Sequence, residues 1–295
     1  MEQRALGASG LSVSAVGLGA GRIGGPETSD ADVDRLVGRA LDAGVTLIDT
    51  ARSYGASEER LGRALEGRRV RVVLSTKVGY GVEGVPDWTP ACIEQGVDAA
   101  LGRLRTDRLD LVHLHSCPRQ VLERSGVVEA LGHAVARGKV RVAAYSGENE
   151  ALAWAVRSGA FGAVQCSVSV VDQGVLGGAV AEAQARGLGV LGKRALGNAP
   201  WLYPSRPQQD DVAEAWDRFQ ALRPFAADWA ADWPDLFTRF AAFAPGVSAV
   251  LIGTASAAHL EAAVAACARG PLEPAQLASL RGAWAREGAG WGGRI

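Results

Sequence analysis

The stretch Gly44-Val45-Thr46-Leu47-Ile48-Asp49-Thr50-Ala51-Arg52-Ser53-Tyr54-Gly55, followed by Ser57-Glu58-Glu59-Arg60-Leu61-Gly62, drives a short apolar run straight into an acid and a tyrosine on one loop. Val45, Leu47 and Ile48 read as a strand that buries its body and presents Asp49 at its carboxyl end. In α/β enzymes catalytic groups collect at that edge of the sheet, where the loops after the strands converge.

Working outward from this unit, short apolar runs alternate with longer amphipathic ones, and turn signals separate them. Val13 to Leu18, Thr46 to Asp49, Val72 to Thr76, Leu109 to Leu114 and Val140 to Tyr145 read as strands. Ala163 to Val168, Gly189 to Gly192 and Ala249 to Ile252 complete the set. Helix patterns lie between them. From Thr89 to Leu104, Thr89 caps, Pro90 takes the first helical position, and Ile93, Val97, Leu101 and Leu104 share a face. Strands alternating with helices imply a parallel sheet, and eight such units in about 250 residues predict a closed (β/α)8 barrel, the TIM-barrel class of α/β fold. No linker rich in Pro, Ser or like charges interrupts the chain, so a single barrel domain over 1–295 is expected. Pro200 to Pro245, rich in Trp, Pro and Asp, is expected to hold a helix or two around a surface loop. The tail 271–295 reads as a helix from Pro274 to Arg286 and a glycine-rich end, Gly288 to Gly293, lying against the barrel mouth.

The 31 basic and 32 acidic side chains leave a net charge of -1, which speaks against nucleic acid or an anionic membrane as a partner. No apolar run approaches the roughly 18 residues of a spanning helix, and Met1-Glu2-Gln3-Arg4 leads into no apolar signal core, so a cytoplasmic location is expected. A near-neutral surface permits a monomer. Cys92, Cys117, Cys166 and Cys267 are spaced too widely for a metal or redox pair and read as reduced structural thiols, with Cys117 nearest the suspected site. No metal site is expected.

Gly19-Ala20-Gly21-Arg22-Ile23-Gly24 matches the spacing of a dinucleotide-binding turn. Gly25-Pro26 and a cap near Ser29 and Asp30 place a loop after it rather than a helix start. It reads better as the first loop of the barrel mouth.

Lys77 follows the strand ending at Thr76, and His115 follows the one ending at Leu114. Either residue alone fits a rim position without function. As the ends of the second, third and fourth barrel strands, however, Asp49, Lys77 and His115 would meet on one rim with Tyr54 on the adjoining loop. A phenol is a poor acid at neutral pH unless a cation lies beside it. Lys77 would supply the cation, Asp49 would hold Lys77, and His115 would hydrogen-bond the substrate oxygen or the phenol. With no serine elbow and no metal spacing, such an acid needs an external reductant, and a nicotinamide hydride is the natural one.

These residues resemble the aldo-keto reductase family over nearly the whole chain. Leu6 to Gly19 looks like its amino-terminal hairpin and first strand. The Gly44 to Gly62 segment is similar to its most specific signature. Ser75-Thr76-Lys77 and Leu109 to His115 resemble its lysine and histidine segments, with His113 two residues early and expected to project from the strand. The resemblance implies a catalytic tetrad of Asp49, Tyr54, Lys77 and His115, with Tyr54 as general acid. It also implies an extended cofactor across the mouth, NADPH in preference to NADH. Gly19, Ala20 and Arg22 of the first loop, together with Asp49, are then expected to face that cofactor. Ser146, Asn149 and Gln165 would hold its carboxamide, although Gly147 and Glu148 interrupt the usual serine and asparagine spacing. Lys193, Arg194, Leu196 and Gly197 would cover the pyrophosphate and nicotinamide, with Lys193 where an aromatic often stands. Gly253, Thr254 and His259 would take the adenosine end, His259 serving as its basic residue.

The implied activity is reduction of an aldehyde or ketone, a small-molecule carbonyl substrate. Two other readings accompany it: a sugar or alcohol dehydrogenase using the same residues in reverse, and an auxiliary or sensor subunit that binds cofactor with little turnover. Tyr80, Trp88, Cys117, Trp201 and Tyr203 on the mouth loops suit an apolar or planar carbonyl compound or the face of a sugar.

Overall fold

The computed structural model describes residues 1–293, so the last two residues of the predicted tail lie outside the described residues. The chain opens with an antiparallel hairpin, β1 (Gln3–Ala5) and β2 (Ser12–Ser14), with Gln3 opposite Ser14. At Gly7, φ is +54° and a Cβ would lie 2.4 Å from the carbonyl oxygen of Gly187, so only glycine lets the hairpin seat so closely on the body. The expected first strand, Val13 to Leu18, is therefore two. Val13 belongs to the hairpin, and β3 (Val16–Gly19) starts the barrel. Ala15 is the corner: its N–H donates to Glu2 at 3.0 Å while its carbonyl accepts from Val250 at 2.9 Å.

The remaining strands are β4 (Leu47–Asp49), β5 (Val73–Val78), β6 (Leu109–His115), β7 (Val140–Ser146), β8 (Ala163–Ser167), β9 (Gly189–Lys193) and β10 (Ala249–Gly253). They close in the order β10-β3-β4-β5-β6-β7-β8-β9, every pair parallel, as the alternation predicted. The outer layer comprises α1 (Asp30–Asp42), α2 (Ser57–Ala64), α3 (Pro90–Arg103), α4 (Arg119–Arg124), α5 (Val127–Ala136), α6 (Asn149–Ser158), α7 (Ala181–Ala185), α8 (Asp210–Leu222), α9 (Trp233–Ala242), α10 (Ala257–Ala268) and α11 (Pro274–Glu287). Sequence signals set several starts. Ser29 and Asp32 form a reciprocal capping box at α1, and Thr89 accepts from Cys92 N–H at α3 with Pro90 behind it.

Two cores result. Between strands and helices lies the large one, including Leu18, Leu36, Ile48, Leu74, Ile93, Val112 and Val164. Inside the barrel floor lies a smaller one, in which Leu6, Leu11 and Val13 of the hairpin meet Leu47, Val73, Leu111, Leu191 and Leu251. The hairpin is thus a plug at the amino-terminal end, and the opposite end stays open. Trp201, Phe219, Trp233 and Phe237 interlock in edge-to-face and tilted contacts near α8 and α9, centroids 4.9 to 6.4 Å apart, so much of the aromatic content of Pro200 to Pro245 is packing. Beyond α11 the glycine-rich end reaches the mouth, where the carbonyl of Gly292 accepts from Arg218 at 2.8 Å. Among the described residues, all four cysteines are free and buried, no helix is long and apolar enough to cross a membrane, and no cluster of metal ligands occurs.

Candidate active site

Strand register assembles the site. Asp49 pairs across to Gly19 on one side and Ser75 on the other, Lys77 lies beside His113, His115 beside Ser146, and Ser146 beside Gln165. Asp49 and Lys77 are both almost fully buried, and Lys77 Nζ donates to Asp49 Oδ2 at 2.5 Å and to the Thr50 carbonyl at 2.7 Å. The other carboxylate oxygen accepts from Ser75 Oγ at 2.7 Å and Gln165 Nε2 at 3.1 Å. Burial disfavours the lysine charge, but Asp49 and then Tyr54 outweigh it and hold the ammonium above its ordinary range. Burial likewise opposes the Asp49 charge, and Lys77 followed by His113 keeps the carboxyl below the usual range.

Tyr54 sits on the loop after β4 with Lys77 Nζ 4.9 Å from its ring centre. The His115 ring meets it edge-on at 6.2 Å. Burial, then the Lys77 and Lys193 charges, pushes the His115 imidazole down to about 3, so it is uncharged at neutral pH. On its far side, Tyr80 OH lies 2.7 Å from His115 Nδ1.

The glycine run after β3 works for this loop. A Cβ at Gly24 would fall 1.6 Å from the Tyr54 carbonyl oxygen, and one at Gly21 would touch the Tyr54 ring at 3.6 Å. The Gly24 carbonyl accepts from Ala56 N–H at 3.1 Å, and Arg60 ties down Gly25 at 2.7 Å. The motif lets two backbones meet around the tyrosine, and α1 starts only at Asp30, as the loop reading expected.

A cleft of about 540 Å3 opens over the tetrad, lined by Gly19, Arg22, Asp49, Tyr54, His115, Ser146, Gln165, Lys193, Arg194, Leu196 and Gly253 among others. It shares Arg22, Leu196, Ala199 and Gly253 with a second cleft of about 690 Å3 that Thr254 and His259 also line. Through these shared residues the two clefts run on into one groove. Its seam between β3 and β10 is floored by Gly19 and Gly253, and a Cβ on Gly253 would meet nothing within 4 Å, so bare backbone faces the groove. Ser146 Oγ donates to Gln165 Oε1 at 2.9 Å, leaving a polar pair beside the tetrad. These features fit an extended dinucleotide cofactor.

Three predicted cofactor residues lie elsewhere. Asn149 faces the tail: its amide donates to the Gly293 carbonyl at 2.8 Å and accepts from Gly293 N–H at 3.0 Å. The inserted Glu148 takes the inward position instead, where its carboxylate holds Lys193 at 3.1 Å and accepts from Ser167 N–H and Oγ, each at 2.8 Å. Ala20 is buried, its carbonyl accepting from Ser57 Oγ. Gly197 lines a small neighbouring recess with Asp172 and Arg218.

His113 does not project outward. Two residues before His115 on one strand means the same face, and His113 is fully buried one layer below, Nε2 3.0 Å from Ser75 Oγ. Sequence reasoning also passed over Ser75 as a brace on Asp49, Tyr80 as the neighbour of His115, and Ala199 on the cleft wall. The period of two along β6 was the available signal for His113. Tyr80 stood out only as a mouth-loop aromatic, and nothing local marks its contact with His115, which depends on how the loop after β5 folds back.

The Aldo/keto reductase family model matches residues 15–285. An L-galactose dehydrogenase of Arabidopsis thaliana is 34% identical over 157 residues, 50% of this chain and 49% of that protein. A 6-dehydroglucose reductase of Novosphingobium aromaticivorans is 34% identical over 149 residues, 47% of this chain and 49% of that protein. The chain thus spans about half the length of the curated relatives it matches. Among solved structures, a Pseudomonas aeruginosa protein described as an aldo-keto reductase is 30% identical with a TM-score of 0.73, covering 90% of this chain and 95% of that one. The holo form of an aldo-keto reductase from Bacillus halodurans has a TM-score of 0.81 over 96% of each chain at 22% identity, a likeness of fold. With the family model reaching across the barrel and a solved relative at 30% identity aligned over nearly all of it, this chain belongs to the aldo/keto reductase family.

Proposed function

We propose that the protein reduces an aldehyde or ketone to an alcohol, with Tyr54 as the proton donor and NADPH as the cofactor, NADH being accepted less well. The observation that carries this reading is the buried Asp49 and Lys77 pair set against Tyr54, with an uncharged His115 edge-on to the phenol ring. Ser146, Gln165, Lys193, Arg194, Leu196, Gly253, Thr254 and His259 would hold the dinucleotide along the groove, and Arg22 would serve at the waist shared by the two clefts.

A reduced nicotinamide would supply the hydride to the carbonyl carbon. As that carbon gains electrons, negative charge grows on the carbonyl oxygen. Tyr54 gives that oxygen its proton, and Lys77 stabilises the charge left on the phenol oxygen. Asp49 keeps the lysine charged and fixed in place. An imidazole that stays uncharged can hydrogen-bond the same oxygen without adding a second cation beside Lys77. Because each step is reversible, the same groups serve alcohol oxidation, with Tyr54 as base. Two relatives are named for sugar chemistry, one an oxidation and one a reduction. Sugar carbonyls are accordingly the first substrate class to try.

The test is the carbonyl-dependent loss of reduced-nicotinamide absorbance with NADPH and separately NADH, across aldoses, ketoses, and aromatic and short aliphatic aldehydes. Consumption that needs the carbonyl compound supports the assignment. If no carbonyl is reduced and no sugar or alcohol oxidised, though either cofactor binds, the reading gives way to a binding subunit.

A further inference from the structure

We propose that Tyr80 is a positioning residue for the reaction: its phenol donates a hydrogen bond to His115 Nδ1 and so keeps the imidazole proton on Nε2, the nitrogen left to meet the carbonyl oxygen. The inference rests on the carbonyl-reduction reading and adds to it a residue outside the tetrad.

The geometry is tightly specified. Tyr80 OH and His115 Nδ1 are 2.7 Å apart, and the two rings are nearly parallel, 22° between planes with centroids 5.5 Å apart. Trp88 backs the phenol edge-on at 5.7 Å. That tryptophan is itself fixed: its backbone N–H donates to the Gly79 carbonyl at 2.8 Å, and its ring fills the space where a Gly79 Cβ would lie, 2.1 Å away. Gly79 has φ of +138°, so the loop can fold Trp88 over Tyr80 only because the residue is glycine.

The chemistry gives the bond its direction. A neutral imidazole carries one N–H and one bare nitrogen. A phenol is the stronger donor of the pair and imidazole nitrogen the stronger acceptor, so the favourable arrangement places the phenol hydrogen on Nδ1. The other acceptor near that hydroxyl, Ser53 Oγ at 3.3 Å on the exposed side, makes the weaker claim on its one proton. With Nδ1 occupied, Nε2 must carry the ring hydrogen, and a ring so fixed can donate to a carbonyl oxygen but cannot accept from Tyr54. Tyr80 does not line the main cleft, so it acts through His115 and not by touching substrate. His113 shows the same logic one layer down: Ser75 Oγ spends its hydrogen on Asp49, which obliges His113 Nε2 to donate.

The experiment reads the ring directly. Four histidines occur in the chain, so long-range proton–nitrogen NMR on protein labelled at histidine nitrogen resolves each ring, and His115→Gln assigns the one in question. The expected wild-type spectrum has a bare Nδ1 and a protonated Nε2 on His115 from pH 5 to 9. In Tyr80→Phe, which keeps the stacked ring, the two nitrogens should average toward mixed tautomers. Because the lost bond favoured the neutral ring, the acid limb of kcat should move to higher pH. At neutral pH, kcat should fall roughly 3- to 10-fold, the scale of one hydrogen bond's bias, with cofactor Kd within about 2-fold of wild type. A wild-type His115 protonated on Nδ1, or a Tyr80→Phe protein with unchanged ring nitrogens and an unchanged acid limb, overturns the proposal. The ring measurement needs no substrate. An expected tautomer in a protein that reduces no carbonyl would therefore sink the reaction assignment while supporting the coupling of Tyr80 to His115.

Discussion

At Asp49 one carboxylate receives Ser75, Gln165 and Lys77, and this crowding explains why the lysine charge survives in the interior. Burial of an ion pair is tolerated when the remaining lone pairs are satisfied, as they are here. The phenol beside it is held by packing and by the Lys77 charge, so the hydroxyl can be deleted without disturbing the pair. Tyr54→Phe should leave the Kd for reduced cofactor, followed by fluorescence quenching, within about 2-fold while lowering kcat by roughly 10²- to 10⁴-fold. A variant with wild-type turnover would remove Tyr54 from the chemistry. His113 makes a separate prediction about stability. Burial, partly offset by Asp49, holds it down to about 4, against 6.5 for a free ring. Below pH 6.5 the unfolded chain therefore binds a proton that the folded one refuses, and stability should drop as pH falls from 6.5 toward 4. The loss attached to this residue should be on the order of 3 kcal/mol. Urea midpoints across that range should flatten in His113→Gln, and an equally steep profile would show that other groups set the acid limit.

At the scale of elements, the chain uses glycine and short loops to bring backbones into contact around a few side chains. The hairpin of β1 and β2 seals the barrel floor with Leu6, Leu11 and Val13, which leaves the carboxyl ends of the strands as the open face. The apolar alternation made the strand bodies legible, because burial on both sides leaves near-continuous Val, Ile and Leu runs. The corner at Ala15 was not legible, since Val13 and Val16 are equally apolar on either side of it. The same pattern made Asp49, Lys77 and His115 legible as neighbours, because they lie at or near the carboxyl ends of consecutive strands with Tyr54 on the loop after the first. Asn149 stands away from the position the resemblance implied, with Glu148 there instead: the carboxylate turns inward to Lys193 and the amide turns to the tail. That placement is testable. Asn149 has φ of +54°, so glycine is the substitution that removes the side chain without strain. Asn149→Gly should leave cofactor Kd unchanged within about 2-fold and lower stability by roughly 1 kcal/mol through two lost tail bonds. A large rise in Kd would return Asn149 to the carboxamide site.

For the molecule as a whole, the two joined clefts make cofactor binding a matter of global stability. Ligand that binds only the folded barrel adds about 2.7 kcal/mol at one hundred times its Kd. A thermal melt with NADPH should therefore move up by several degrees, NADH should move it less at equal concentration, and identical melts with and without either would mean the groove holds neither. The strand and helix count predicted closure, because eight parallel units fit a barrel, and closure then placed Gly253 against Gly19 across the seam. The groove's walls were less legible at Ala199, which lines both clefts from a connection whose path no periodicity records.

The seam has a further consequence, for biosynthesis. Val250 hydrogen-bonds alongside Val16, more than two hundred residues earlier, so the ring of strands cannot shut until β10 has left the ribosome. Elongation at about 5–20 residues per second makes that a wait on the order of tens of seconds. Throughout it, β3 presents an unpaired apolar edge beside the strands that carry Asp49 and Lys77. The nascent polypeptide would be most vulnerable to misassociation late in translation, after the strands that carry Asp49, Lys77 and His115 are made and before β10 arrives.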